Sequence, residues 1–398
     1  MGDAMGTTSA GNPVFVTGYR IDFFCGHSQE PWSPLSVHTG IGGSQEALIA
    51  MAAALQRLGH TIRVYNSCGA VAGEYDGVVY EDYRAFGRQT SADLVVVWRW
   101  PWLARSLTPG VPAYLWLEDM VEPSAVAAAA DRYRKIIVLS RFHRQHYKRL
   151  PDEKFFHSRN GIQAEHFDQP VERDPYKVVY GSRYDRGLSQ LLEAWPRVKA
   201  AVPEAHLTVF YGFESARANS FDLIRRRIKS YWYRNPVAFW IYRRAMEAAM
   251  RRASAQHLGR IGHLDVARQF LSAGVWAYPT AFAETSCITA MKAQAAGAVP
   301  VVIPSGALDE TVEFGIKTST SANDYPGRRL PPQVYEEWEA ALISHLRNPA
   351  KLEPLRARMA AAARQKFAWE SVAREWNEEF TRTLTGKASI EGAADTRV

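Results

Sequence analysis

No apolar run in this 398-residue chain approaches the roughly 18–20 residues that cross a bilayer, which argues against a membrane-spanning helix. Cysteine is scarce. Cys25, Cys68 and Cys287 are odd in number, widely spaced and form no C-x-x-C, which argues against a disulfide framework and fits a reducing compartment. The eleven histidines include no H-E-x-x-H. His143 and His146, three apart on an expected helix, have no Cys or carboxylate ligand nearby and are read as surface positions rather than a metal site. There is no G-K-S/T, so the Walker A loop is absent, and no D-x-D pair to hold a divalent ion under a diphosphate. The opening MGDAMGTTSAGN has neither the basic start nor the apolar stretch of a signal peptide, so cytoplasmic residence is the expectation.

The chain is too long for one ordinary core, which predicts two domains, and its 47% hydrophobic, 12% aromatic and 22% charged residues are those of a soluble globular protein. The net charge of +7 is localised. Between Phe221 and Arg252 nine basic residues face only Asp222 and Glu247, an excess equal to that of the whole chain. Tyr231, Trp232, Tyr233, Phe239, Trp240 and Tyr242 interleave with them. Three readings stay open for this segment: a surface helical hairpin, a peripheral contact with anionic lipid, or nucleic-acid binding.

Short branched runs alternate with helical stretches. Strands are predicted at 14–17, 61–65, 94–98, 113–117 and 136–139, with a helix at 44–58 closed by Gly59 and a basic helix at 142–150. The pattern restarts with strands at 178–180, 207–211, 260–261, 275–278 and 299–303 and helices at 188–200, 266–272 and 289–296, Pro196 being a candidate kink. This predicts an α/β fold of two Rossmann-like, doubly wound parallel-sheet domains facing a central cleft. The polar, proline-bearing HFDQPVERDP marks the boundary. The expected division is 1–170, 171–365, a helix at 366–386 and a loose tail at 387–398.

Three loops carry candidate chemistry. Gly40-Ile41-Gly42-Gly43-Ser44 opens a helix, where glycines admit close approach and free N–H groups favour an anion; the alternative is a tight entry loop capped by Ser44. Gln45 and Asn66 stand where a dinucleotide fingerprint wants glycine and an acid, so that reading fails. Pro279–Ile288 passes a lone acid, Glu284, before the next helix, and Glu284 reads either as a sugar-hydroxyl ligand or as a first-turn helix acid. Tyr180–Leu188 presents Arg183 and Arg186, read as a phosphate clamp or as a solvated loop in which Asp185 pairs with an arginine.

The order of these segments resembles the two-Rossmann-domain (GT-B) glycosyltransferases of family 4, also called group 1, particularly a surface-polysaccharide branch. WSPLSVHTGIGGSQEA with LGHTIRVYN resembles the family's first loop, helix and second strand. IIVLSRFHRQHY and NGIQAEHF resemble the end of its first domain. YGSRYDRGLSQLLEAW, LGRIGHLDVARQFLSAGVWAYPTAFAETSCITAM and AQAAGAVPVV resemble its donor domain, and FAWESVAREW resembles the terminal helix that crosses back. The resemblance implies that Gly42 and Gly43 approach donor phosphates, with Arg186, and Arg183 as a second cation, on the diphosphate. It implies that Glu284 contacts the transferred sugar and that the backbone N–H groups of Ser286, Cys287 and Ile288 meet the phosphate.

Two positions depart from the family. Its second acid, which holds the ribose hydroxyls, falls on Lys292, and a cation cannot accept those hydrogen bonds. Either the ribose is held differently, or Lys292 adds charge against a phosphate, or donor binding is weakened. Glu118-Asp119 stands on the acceptor side in place of an expected His-Asp. The resulting expectation is a retaining, metal-independent transferase without a cofactor. It would use a UDP- or GDP-linked sugar and a glycan or lipid-linked acceptor, at the inner face of the membrane if the basic segment touches lipid. The alternatives are a catalytically silent binding subunit and a nucleic-acid-binding or DNA-modifying sugar transferase.

Overall fold

In the computed structural model the branched runs assemble into two sheets. It describes residues 18–28, 30–87, 91–212 and 236–394, with the helical backbone alone at 236 and 387–394. The first sheet holds β1 (Arg20–Phe24), β2 (Thr61–Asn66), β3 (Gly73–Tyr75), β4 (Val78–Asp82), β5 (Leu94–Trp98), β6 (Ala113–Trp116), β7 (Lys135–Val138) and β8 (Phe155–His157). Their order is β3-β4-β2-β1-β5-β6-β7-β8. Only the edge pair β3–β4 is antiparallel, through a turn at Asp76-Gly77 where both residues have positive φ (51° and 77°), the pairing that closes a two-residue hairpin. All of β5 is buried, as a continuous LVVVW run in a sheet covered on both faces must be. Ile21 and Phe23 of β1 pack beneath the helix Gly43–Arg57, while Phe24 joins Val95 and Val97 on the opposite face.

The second sheet holds β9 (Asp174–Gly181), β10 (His206–Phe210), β11 (Gln256–Gly259), β12 (Ala273–Tyr278), β13 (Val299–Val302) and β14 (Ile316–Lys317). It is parallel throughout, in the order β11-β10-β9-β12-β13-β14. In each sheet the strand order reverses beside the first strand, between β1 and β5 and between β9 and β12. Open parallel sheets bind ligands at the carboxyl ends of such strands. The loops after β1, β5, β6, β9 and β12 carry most of the residues of interest. The two-sheet architecture thus follows from two tandem βα patterns.

Several local expectations shift. The strand expected at 14–17 lies outside the described residues, and β1 was missed because Arg20 and Asp22 interrupt its apolar pattern. The strand expected at 260–261 lies earlier, at Gln256–Gly259; Gly259 in the left-handed region (φ 67°) ends it and turns Arg260 and Ile261 towards the other domain. The basic helix is short, Arg141–Gln145. Pro196 lies inside the helix Leu188–Ala201, which continues through it.

The chain joins the halves twice. Ile162 N–H donates to Phe367 O (2.7 Å) and Trp369 N–H to Ile162 O (3.2 Å). The helix Trp369–Ala394 then packs on the first sheet, Trp376 against Trp116 and Phe380 against Tyr114. Arg159 holds Glu375 through two 2.8 Å hydrogen bonds. The helical backbone runs to Ala394, so most of the segment expected as a loose tail extends this helix.

Candidate functional site

A cleft of about 800 Å³ lies between the two sheets, and it brings together the residues expected to meet a donor or an acceptor. Gly42, Gly43, Glu118 and Asp119 line it from the first domain; Arg183, Arg186, Glu284, Ser286, Cys287, Ile288 and Lys292 line it from the second.

Two helix N-termini open on this cleft from opposite domains. Gly42, not Ser44, is the N-cap of the helix Gly43–Arg57, and no side chain caps it. Ser44 sits inside the first turn, because the residue with extended backbone (φ −68°, ψ 150°) that starts the helix is Gly42. Cys287 is the N-cap of Ile288–Ala296, likewise without a side-chain cap. A Cβ at Gly43 would stand 3.5 Å from Ile288 Cδ1, so the two termini adjoin. The first-turn N–H groups of both helices, with their partial positive charge, suit an anion. Gly40 (φ 96°) permits this approach: a Cβ there would meet Ile261 O at 2.6 Å.

A charged cluster of buried Glu284 and Tyr278 with partly exposed Arg186 lies in the second domain. Glu284 Oε1 accepts from Tyr278 Oη at 2.7 Å and from Arg186 Nη1 at 3.3 Å. Its backbone is pinned by Ala307 N–H to Glu284 O (2.7 Å) and by a bridge to Gly306. Glu284 therefore belongs to a fixed loop ahead of the helix rather than to its first turn. Arg186 also lies over the Phe282 ring at 3.9 Å. Burial disfavours its charge, but Glu284, with Tyr278 and Asp185, outweighs burial and raises its pKa above the ordinary range. Gly187 (φ 101°) lets this loop turn, since a Cβ would lie 2.5 Å from Pro279 O. Arg183 pairs with Asp185 at 2.8 Å, so the pairing weighed for Asp185 is present.

Lys292 is not a free cation. Its Nζ lies 2.7 and 2.9 Å from the two oxygens of Glu46, which reaches across from the helix Gly43–Arg57, and His263 Nδ1 lies 3.1 Å from Glu46 Oε1. Burial pushes the Glu46 carboxyl up, but His263 and Lys292 outweigh it and hold it at about 2. The three side chains, all buried, tie the domains together on one wall of the cleft. A second cross-domain pair, Arg260 with Glu30 (2.7 Å), closes its rim.

On the first domain's side of the cleft Asp119 pairs with Arg99, whose φ of 67° is unusual for a non-glycine residue. Arg99 lies between the Trp98 and Trp100 rings, 5.0 and 5.4 Å from their centroids. His143, expected at the surface, is fully buried beneath this loop. Its Nδ1 accepts from Leu139 N–H (3.3 Å), which leaves Nε2–H to donate to Asp119 O (3.2 Å). Burial holds its pKa down to about 4. Neutral His143 thus acts as a prop for the Glu118-Asp119 turn. His146, half-buried, contacts Val121 O. Among the described residues no three His, Cys, Asp or Glu side chains are grouped to hold a metal.

Glu46, Arg99, Asn160, Arg260 and His263 were not singled out from the sequence, although all line the cleft. Glu46 reads there as an ordinary first-turn acid and Asn160 as part of a short loop. Only the opposite domain gives them partners. Of the basic-aromatic segment, 221–235 lies outside the described residues; Pro236–Arg252 is a helix whose Trp240 and Ile241 are more than half exposed.

No protein-family model and no curated protein matches the sequence. Solved structures do match the fold. Sucrose-phosphate synthase from Thermosynechococcus elongatus superposes with a TM-score of 0.67 at 14% identity, covering 92% of this chain and 100% of that one. HepE from Anabaena, solved with UDP and glucose, gives 0.64 at 14% identity over 91% and 99%. A glycosyltransferase from Rickettsia africae gives 0.63 at 12% over 93% and 99%. The fold is therefore the two-Rossmann-domain GT-B fold of these enzymes, and at such identities the likeness extends to fold alone.

Proposed function

We propose that this chain is a glycosyltransferase that moves a sugar from a nucleotide-diphosphate sugar to an acceptor hydroxyl. The observation that carries the reading is the convergence, in one cleft, of two uncapped helix N-termini with the cluster of Arg186, Glu284 and Tyr278. Breaking the bond between a sugar and a diphosphate builds negative charge on the leaving phosphate. Fixed donors aimed at that charge, in a site shielded from water, are the strongest stabilisation a protein offers. The N–H groups of Gly43, Ser44, Ile288 and Thr289 and the Arg186 guanidinium supply such donors, and Arg183 adds charge at the rim. Glu284, held by Tyr278 and Arg186, keeps accepting capacity for sugar hydroxyls.

With cations built into the protein on the phosphate side, the reaction proceeds in this reading without a divalent ion. The leaving phosphate takes the acceptor's proton, and the sugar keeps its anomeric configuration. UDP- and GDP-linked sugars are the donors to test. The described part of the basic segment, with Trp240 beneath Arg244 (5.5 Å), supports a peripheral contact with anionic lipid, and hence a lipid-linked acceptor reached from the cytoplasmic face.

Thermal-shift titration with a panel of UDP- and GDP-sugars, followed by mass detection of nucleotide release, tests the assignment. At least one donor should raise Tm in a dose-dependent way and release its diphosphate when an acceptor is present. Binding without release under every acceptor condition would instead mark a silent binding subunit. Failure of every donor to bind sinks the reading.

A further inference from the structure

A large aromatic ring exposed on a firmly anchored turn points to something that the ring meets. Trp102, 52% exposed, is such a ring. It stands on the short 3-10 helix Pro101–Ser106, just after β5, and the backbone leading into that helix is strained. Trp100 N–H donates to Trp98 O (2.8 Å) around Arg99 at φ 67°, a three-residue turn of the rare positive-φ kind. The helix itself is tied down from beneath. Tyr133 Oη donates to Pro101 O (2.9 Å), and Ala104 is buried. Leu103 packs on Gly26, where a Cβ would stand 3.0 Å from Leu103 Cδ1. Its neighbours therefore hold the inner side of the helix, and Trp102 faces outward.

This aromatic surface is continuous with the cleft. Arg99 lines the cleft and lies 5.4 Å from the Trp100 centroid. Trp100 in turn stacks on Trp102, with centroids 4.8 Å apart and planes inclined by 29°. One face of Trp102 is thus taken by Trp100, and its exposed area belongs to the other face and the edge. Polar groups stand beside it. Asp119, though paired with Arg99, keeps 48% of its side chain exposed. Arg105 is exposed too, and a helix with about three residues per turn sets it on the same side as Trp102. A flat apolar face flanked by a carboxylate that accepts and a guanidinium that donates matches a pyranose, whose C–H faces are apolar and whose hydroxyls radiate from the edge. A lipid surface fits less well, because the Asp119 carboxylate would be set against acyl chains or anionic headgroups.

We infer that Trp100 and Trp102 form a stacking subsite for a pyranose ring of the acceptor, which lies on the open face of Trp102 with its hydroxyls towards Asp119 and Arg105. The inference rests on the proposed transfer reaction and names the acceptor's class, a glycan. Trp102 itself stands outside the cleft lining. The ring it holds is therefore a neighbour of the reacting sugar, and the acceptor has at least two sugar units. A rigid indole loses little conformational freedom on such contact, which suits it to holding a ligand rather than to chemistry. Trp102 is a specificity-determining residue in this scheme.

Saturation-transfer NMR on the full chain, with maltose, cellobiose, lactose and mannobiose as probes in the tens of millimolar, reads the subsite. Calorimetry with UDP-glucose and GDP-glucose on the same samples reads the donor site. At least one disaccharide should take up saturation on the C–H protons of one ring. Trp102→Ala should weaken its binding about five- to tenfold, the loss of one stacking contact. Trp102→Tyr should stay within about threefold, and Trp102→Leu, apolar but not flat, should behave as Trp102→Ala. Donor affinity and Tm should be alike in all four proteins, since the position is exposed. No saturation from any of the four disaccharides overturns the subsite, and so does binding that Trp102→Ala leaves unchanged. Loss of donor affinity in Trp102→Ala overturns it too, because the ring would then serve the donor. Flotation with vesicles of phosphatidylglycerol and phosphatidylcholine that Trp102→Ala abolishes, with no sugar bound, would assign the ring to lipid instead. Sugar binding through Trp102 in a protein that takes neither donor keeps the stacking platform and removes the transferase reading alone.

Discussion

Replacing Lys292 by methionine removes one charge from a buried cluster while nearly conserving volume. Its effect can be worked from the geometry. Glu46, buried at the start of the helix Gly43–Arg57, keeps its carboxylate only because Lys292 and His263 face it. A carboxyl held at about 2 instead of its ordinary 4.5 corresponds to about 3 kcal/mol of folded-state preference for the charged form. Removing one partner of a buried pair leaves the other uncompensated, and such losses run to about 3–5 kcal/mol. Lys292→Met should therefore destabilise by about 3 kcal/mol in urea titrations followed by tryptophan fluorescence. Glu46→Gln combined with Lys292→Met should recover most of that, since no charge is then stranded. Lys292→Glu, which restores an acid at this position, should be worse than Lys292→Met because it faces Glu46 with a second buried carboxylate. The pH dependence has a definite sign. Because the folded value lies below the unfolded one, the contribution is complete above about pH 4.5 and disappears as pH falls towards 2. A Lys292→Met stability within about 0.5 kcal/mol of the unmodified protein, or a double variant no more stable than the single, would refute the reasoning.

His143 predicts a second, separate window: buried and held at about 4 against 6.5 unfolded, it contributes fully above pH 6.5 and loses about 3 kcal/mol as pH falls to 4. Urea titrations of His143→Met across that range should be flat where the unmodified protein slopes. Gly306→Ala forces a side chain at φ 60° to within 2.3 Å of Glu284 O, so it should displace Glu284 and cost at least tenfold in donor affinity by calorimetry, with far-UV circular dichroism unchanged. Arg186→Ala should weaken diphosphate binding by about 10–100-fold, the range for a charge-assisted hydrogen bond, and Arg186→Lys should recover only part of it. Nucleotide release should be insensitive to EDTA; loss of turnover restored by added magnesium would contradict a phosphate site built on protein cations.

How much could be read in advance differs between residues for physical reasons. Glycine, short branched runs and helix starts act locally, and they placed strands such as LVVVW and AYLWL and both helix-opening loops of the cleft within a residue or two of their observed positions. The hairpin at Asp76-Gly77 carried a turn signal too, but its strands are short and β3 lies at the sheet's edge, so hydrophobic alternation was too weak to reveal it. Ser44 misled because serine caps well in isolation, whereas the backbone enters the helix at Gly42.

Ionisable side chains were legible as candidates but not as functions, because what each does depends on charges far away in sequence. Lys292 leaves three readings open, among them a cation set against a phosphate, until Glu46, on the other domain, pairs with it at 2.7 Å. His143 reads as exposed until the first domain closes over it and its Nε2 finds Asp119 O. Glu118 reads as a charged acid until burial without a cation leaves one oxygen unpartnered. The amino-acid sequence by itself determined two tandem parallel-sheet units and the loops that end their strands, since backbone propensity and hydrophobic period are short-range. The tertiary structure alone decided which charges are cancelled, which are buried neutral and which remain for a ligand, since electrostatic free energy in a low-dielectric cleft is set by neighbours that only the folded chain brings within a few ångströms.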